Sequence, residues 1–216
     1  MIQIIRLTEP AILVTKKALW TSKFISSGNP RPSHSQYGHR DVKTLLYGAS
    51  FYKCYYCERP LKDNEKEIDH LIEVSERKDL AFEWTNLYLA CDNCNGKVPN
   101  RVIPVTDALN PCTSSNAEIE AAICFEDEQI KAVGGSEIGL TSIIKYKLDS
   151  DLLDRLRAKR LNVFFKECLA IKHIQVIEGR VTYTVDEQRT IRRYANPDQP
   201  FSLMFKPLIK AMGITL

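Results

Sequence analysis

Two Cys-x-x-Cys pairs, Cys54/Cys57 and Cys91/Cys94, constrain this chain more than any other feature of its sequence. Two such knuckles supply the four soft donors of a tetrahedral zinc site. The 33 residues between the pairs exceed the roughly 15–20 of a compact ribbon, so an additional element must loop out between them. A thioredoxin-like redox centre needs one pair only and leaves the second unexplained. Four buried thiols without a metal remain the plainer alternative. Cys112, Cys124 and Cys168 have no partner at a useful spacing and read as buried small residues.

The rest of the composition is that of a globular protein: 216 residues, 44% apolar and 26% charged, enough for one large core or two small ones. No apolar run approaches the length of a membrane span, so no membrane partner is expected. The opening MIQIIRLTEPAILV lacks a basic leader and a small-residue cleavage site, and Arg6 and Glu9 interrupt it. No export signal is therefore expected, and the localisation reads as cytoplasmic, where thiols and metal ligands prevail over disulfides. The net charge of +3 is unevenly spread. Residues 1–62 carry ten basic and three acidic side chains, 63–154 eight and nineteen, and 155–216 twelve and five. Basic flanks around an acidic middle are either plain surface variation or a grip on a polyanion around a cation-binding centre.

Coarse periodicity places the motifs. Residues 2–6 and 11–15 read as extended pieces or a helix start around Pro10, 26–35 as loop, and 36–50 as a helix with Val42, Leu45 and Leu46 on one face. A strand over 65–75 should stop at Asp69-His70, and 84–90 should form a second, with Leu87 and Leu89 alternating. CDNCNGKV opens a helix or turn. Residues 98–116 are expected to be irregular, 117–138 to hold a hairpin, and 146–173 one or two helices. A last strand is expected at 179–185, then a terminal helix broken near Pro207. The expected organisation is a basic N-terminal region with a helix (1–50), a catalytic core with zinc knuckles (51–113), and a mostly helical C-terminal region (114–216).

Between the knuckles lies EIDHLIEV. At a strand end, Asp69 can ligate a hard cation such as Mg²⁺ through oxygen, and His70 can take a proton from water. A nearby metal keeps that imidazole neutral. Alone, such a pair is weak evidence. Asn86 and Asn95 strengthen it, since an amide can orient an imidazole or offer a metal an uncharged oxygen. The second knuckle fixes Asn95 relative to the strand that carries Asp69 and His70.

CYYC, EIDHLIEVS and WTNLYLACDNCNGK together resemble a zinc-bearing HNH endonuclease. The resemblance implies an α+β fold: a ββα-metal finger around one catalytic cation, with a structural four-cysteine zinc site at Cys54, Cys57, Cys91 and Cys94, flanked by mostly helical regions. It casts His70 as general base, Asp69 as metal ligand, Asn86 as the residue that fixes the active-site loop and the histidine, and Asn95 as second metal ligand. Lys97 would be a phosphate contact or helix-start residue. The implied ions are Mg²⁺ or Mn²⁺ at the catalytic site and Zn²⁺ at the cysteines. One departure is Glu73, where the family often has proline; it is expected to face solvent.

More loosely, RLTEPAIL, Trp20, LNPC and TSIIKYKLDSDLLDRLRAKR are similar to the HNH subunits of Septu anti-phage systems, also found beside some retrons. Such subunits act with an ABC/SMC-like ATPase, which implies that ATPase, and a retron reverse transcriptase with its nucleic acid, as partners. The expected substrate is DNA, with RNA such as tRNA, or a zinc-stabilised scaffold without activity, as alternatives. Lys16, Lys17, Arg155, Arg157, Lys159 and Arg160 are candidate backbone contacts, or else a solvated face or docking surface.

Overall fold

Pro10 holds φ at −64° and ψ at 140° and closes an extended opening segment, from which helix α1 (Ala11–Ser27) starts without a side-chain cap. The computed structural model describes residues 1–62 and 67–216, so the first two residues of the expected strand over 65–75 lie outside the described residues. Leu13 and Phe24 bury one face of α1, and Trp20 and Phe24 pack against Phe82, with ring centroids 5.7 and 6.3 Å apart. The single helix expected over 36–50 is two, α2 (His34–Tyr37) and α3 (Arg40–Ala49). Gly38 separates them, and a Cβ there would meet the His34 carbonyl oxygen at 2.6 Å.

The first knuckle turns tightly, with Phe51, Tyr52 and Glu58 in left-handed backbone conformation. Beyond it, β1 (Glu67–His70) pairs antiparallel with β2 (Leu87–Ala90), setting Asp69 opposite Tyr88 and His70 opposite Leu87. The expected second strand starts with a 3₁₀ turn over Trp84–Asn86, and all four β2 residues are buried instead of alternating. Both faces of β2 are covered, which removes the period-2 pattern of a half-exposed strand. The second knuckle forms the short helix α4 (Asp92–Asn95).

The C-terminal half departs further from expectation. α5 (Asn116–Ala122) precedes the hairpin of β3 (Ile123–Glu126) and β4 (Gln129–Ala132), and α6 (Glu137–Tyr146) ends at a left-handed Lys147. One long helix, α7 (Asp151–Ile177), follows. No strand forms over 179–185; that stretch is irregular and leads into α8 (Val185–Arg192). Thr184 and Glu187 close a capping box there, and the alternating Val181 and Val185 point into solvent with nothing to pair. The terminal helix α9 (Ser202–Ala211) runs through Pro207 unbroken. The missing donor of Pro207 is offset by burial of Leu203, Met204, Phe205 and Ile209 on the same helix.

One core joins Ile2, Ile4, Leu13, Val42 and Leu46 to the knuckles, β2, α5, α6 and Leu153. A second gathers Leu161, Phe164 and Ile171 of α7 with Tyr194, Phe205 and Ile209. Among the described residues, no helix is long and apolar enough to cross a membrane.

Candidate functional site

The four knuckle cysteines converge although the two pairs are far apart in sequence. All are buried, and their sulfurs lie within 4.8 Å of one another. Cys57 Sγ and Cys91 Sγ are 3.8 Å apart, too far for a disulfide of about 2.0 Å. Tetrahedral Zn–S bonds of about 2.3 Å would set sulfurs about 3.8 Å apart. The cluster could therefore hold a metal ion. Cys112, Cys124 and Cys168 are half-buried, not buried as expected.

Both knuckles also deliver a side chain to Asp69, which β1 places in the interior at 4% exposure. Tyr56, inside the first knuckle, donates its hydroxyl to Asp69 Oδ2 at 2.7 Å. Its ring is held between Tyr88 and Tyr146, with centroids 5.9 and 4.3 Å away. Lys97, just beyond the second knuckle, donates Nζ to Asp69 Oδ1 at 2.5 Å and to the His70 carbonyl at 2.9 Å. Burial pushes the Asp69 carboxyl above its ordinary range, while the Lys97 charge and both hydrogen bonds pull the other way.

His70 is half-buried at the end of β1, edge-on to Tyr37 with centroids 5.0 Å apart. Its Nε2 lies 2.9 Å from the Ala81 carbonyl. A carbonyl only accepts, so Nε2 carries the proton and Nδ1 keeps the free lone pair. Desolvation holds the imidazole pKa below its ordinary value, opposed by the bond to Ala81. The neutral base form is thus favoured at pH 7.

Asn86 fixes the loop that carries Ala81. From the 3₁₀ turn before β2, its Oδ1 accepts from Ile72 N at 2.8 Å. Its Nδ2 donates to the Ile72 and Leu80 carbonyls at 3.0 and 3.2 Å. The buried amide thereby ties both ends of the segment between His70 and Ala81. Its side-chain bonds go to Ile72 and Leu80, and not to Asp69, His70 or Asn95.

Asn95, the last residue of α4, and Asp69, His70, Glu73 and Lys97 line one cavity of about 420 Å³, with Arg31 and Tyr37 on its N-terminal side. Asn95 Nδ2 donates to the Glu67 carboxylate, leaving the amide oxygen as the donor available to a cation. Asp69, Asn95 and Glu73 offer oxygen only, the chemistry of a hard divalent ion and not of zinc. Donors of this kind suit a hard divalent cation.

Several expectations for individual residues are corrected. Glu73 does not simply face solvent: Oε2 accepts from Asn100 N at 3.0 Å and Oε1 lies 3.5 Å from Lys97 Nζ. Lys97 does not start a helix; its buried side chain braces Asp69. Arg157 is not a surface grip but 1% exposed, paired with Asp154 at 2.9 Å and set over the rings of Phe125 and Phe201. Lys17 is paired with Glu9 and Glu83, and Arg160 lies over Tyr194, whereas Lys16, Arg155 and Lys159 are exposed. Tyr37 and Arg31 carry no motif signal, and Tyr56 and Glu67 lie within CYYC and EIDHLIEVS with no role expected of them.

An imidazole with one free nitrogen and several oxygen donors thus share a cavity built on two strands and a short helix between the cysteine knuckles. Residues 54–101 match the HNH endonuclease family, and the chain carries an HNH endonuclease domain within an α+β fold. Over most of its length it is similar to two Septu proteins PtuB. The one from Bacillus thuringiensis is 28% identical over 182 residues, 82% of this chain and 63% of that protein. The one from Bacillus mycoides (strain KBAB4) is 26% identical over 178 residues, 69% of this chain and 59% of that protein. The chain thus spans about three-fifths of the length of the curated relatives it matches.

Proposed function

We propose that this chain is a metal-dependent endonuclease that hydrolyses phosphodiester bonds of DNA in anti-phage defence, together with an ATPase partner. The observation that carries the reading is His70: neutral, with Nε2 committed to Ala81 and only Nδ1 free, it faces the same cavity as Asp69 and Asn95. In this reading His70 Nδ1 removes the proton of the attacking water, a step worth typically 10²–10⁴-fold. Asp69 and Asn95 would hold Mg²⁺ or Mn²⁺, which would supply Lewis acidity toward a phosphodiester. The uncharged Asn95 amide keeps the site's balance more positive than a second carboxylate would, which suits an anionic substrate. Asn86 keeps the loop and the imidazole in place. The cysteines hold zinc as a structural site, since four thiolates leave no open position for chemistry.

The defence setting and the ATPase rest on the similarity to the Septu proteins. The test is cleavage of plasmid, phage DNA and tRNA in Mg²⁺ or Mn²⁺, with and without a co-purified ATPase. Cleavage of DNA is expected. Cleavage of tRNA alone would move the substrate to RNA, and cleavage of neither under all conditions would leave a zinc-stabilised scaffold.

A further inference from the structure

Lys97 is an unusual neighbour for a cation site. Its side chain is 3% exposed, and its ammonium meets three oxygens: Asp69 Oδ1 at 2.5 Å, the His70 carbonyl at 2.9 Å and Glu73 Oε1 at 3.5 Å. A carboxylate, a carbonyl and a second carboxylate around a compact positive charge are the surroundings that a hard metal ion also seeks. Two of the three oxygens belong to carboxylates, and the buried Lys145 adds a second positive charge near the same group.

We propose that Lys97 is a resident counter-cation of this site: its ammonium sits in the oxygen seat of Asp69, His70 and Glu73 and must leave that seat when a divalent ion binds Asp69. The proposal rests on the reading of Asp69 as a ligand of the catalytic ion. Two cations on one carboxylate in a buried cluster repel, so the two occupancies exclude each other. The backbone of Lys97 is anchored, its N–H donating to the Cys94 carbonyl at 3.2 Å and the next N–H to the Lys145 carbonyl at 2.8 Å. The four-carbon stem is the part free to move, and the cavity it lines gives it room.

Two consequences follow. Without nucleic acid, the divalent ion binds weakly, because it must displace an internal competitor. A phosphate in the cavity pairs with the displaced ammonium, so substrate and ion tighten each other's binding by the same factor. Glu73 belongs to this exchange, since it is the second carboxylate that holds the ammonium in the ion-free form.

Two measurements on the zinc-loaded chain test the exchange without any cleavage. The first is Mn²⁺ affinity by electron paramagnetic resonance for wild type and Lys97→Met, with zinc content confirming the fold. Lys97→Met should bind Mn²⁺ about tenfold to a hundredfold tighter, the range set by losing one charge-assisted bond at the shared carboxylate. Equal or weaker binding overturns the proposal, and no Mn²⁺ binding in either protein overturns both it and the reading of Asp69 as a ligand. The second uses wild type alone, so it decides the matter if Lys97→Met does not fold. Lys97 should resist acetylation by an amine-reactive ester without metal and react about tenfold faster or more at saturating Mg²⁺, as its ammonium leaves the buried pair. Equal acetylation in the two conditions overturns the exchange.

Discussion

Removing the Asn86 side chain tests how the site is held together. Asn86→Ala deletes three hydrogen bonds to the backbone, of 2.8, 3.0 and 3.2 Å, from a residue 4% exposed. Each contributes about 1 kcal/mol net, and water reaching the loosened loop replaces some of them. The expected loss is therefore about 2–3 kcal/mol. For a chain of this size that lowers Tm by roughly 4–12 °C. The effect should be local as well as global, because the deleted bonds tie the segment between His70 and Ala81. Hydrogen exchange should speed up across residues 71–81 while the knuckles keep their zinc. His70 then loses its fixed acceptor at Ala81, so kcat should fall at least about tenfold with KM little changed, the signature of a misplaced base. Asn86→Asp keeps the acceptor for Ile72 N but turns a carboxylate toward two carbonyls, and should destabilise at least as much. A thermal scan and exchange mass spectrometry read both variants. If Asn86→Ala shifts stability by less than about 0.5 kcal/mol and leaves exchange in 71–81 unchanged, the loop-clamp reasoning is wrong.

Two further outcomes are expected. Cys91→Ser should lose bound zinc, measured by atomic emission, and unfold the knuckles with β2, because metal binding in such sites is folding free energy; a stable, metal-free Cys91→Ser protein would contradict the structural site. The pH dependence of cleavage should follow the lowered His70 pKa. A depressed pKa keeps the imidazole neutral to lower pH, so activity should persist as pH falls to the ordinary histidine value of 6.5 and decline only below it. An acidic limb centred above that value would refute a desolvated base.

Much of the finger was legible because covalent chemistry constrains it. Four cysteines at fixed spacing predicted the knuckles, and the apolar stretches around Asp69-His70 and at Leu87 and Leu89 pointed to both short strands. What remained hidden depends on tertiary contact. Nothing in CYYC says that Tyr56 turns inward between Tyr88 and Tyr146 to reach Asp69. Lys97 carries the polarity of a surface residue, yet its buried charge is held by Asp69 and Glu73. The misread strand at 179–185 is different, because its signal was present. Thr184 and Glu187 have the spacing of a capping box, and that local bonding prevails over an alternation with no partner strand. The same signal at Ser115 and Glu118 marks the start of α5.

The most direct test of the central claim is the cleavage rate of His70→Ala against wild type at equal zinc content and saturating Mg²⁺. If His70 Nδ1 is the base, the rate falls about 10²–10⁴-fold while zinc content and Tm stay close to wild type. A His70→Ala protein that cleaves at the wild-type rate would contradict the account.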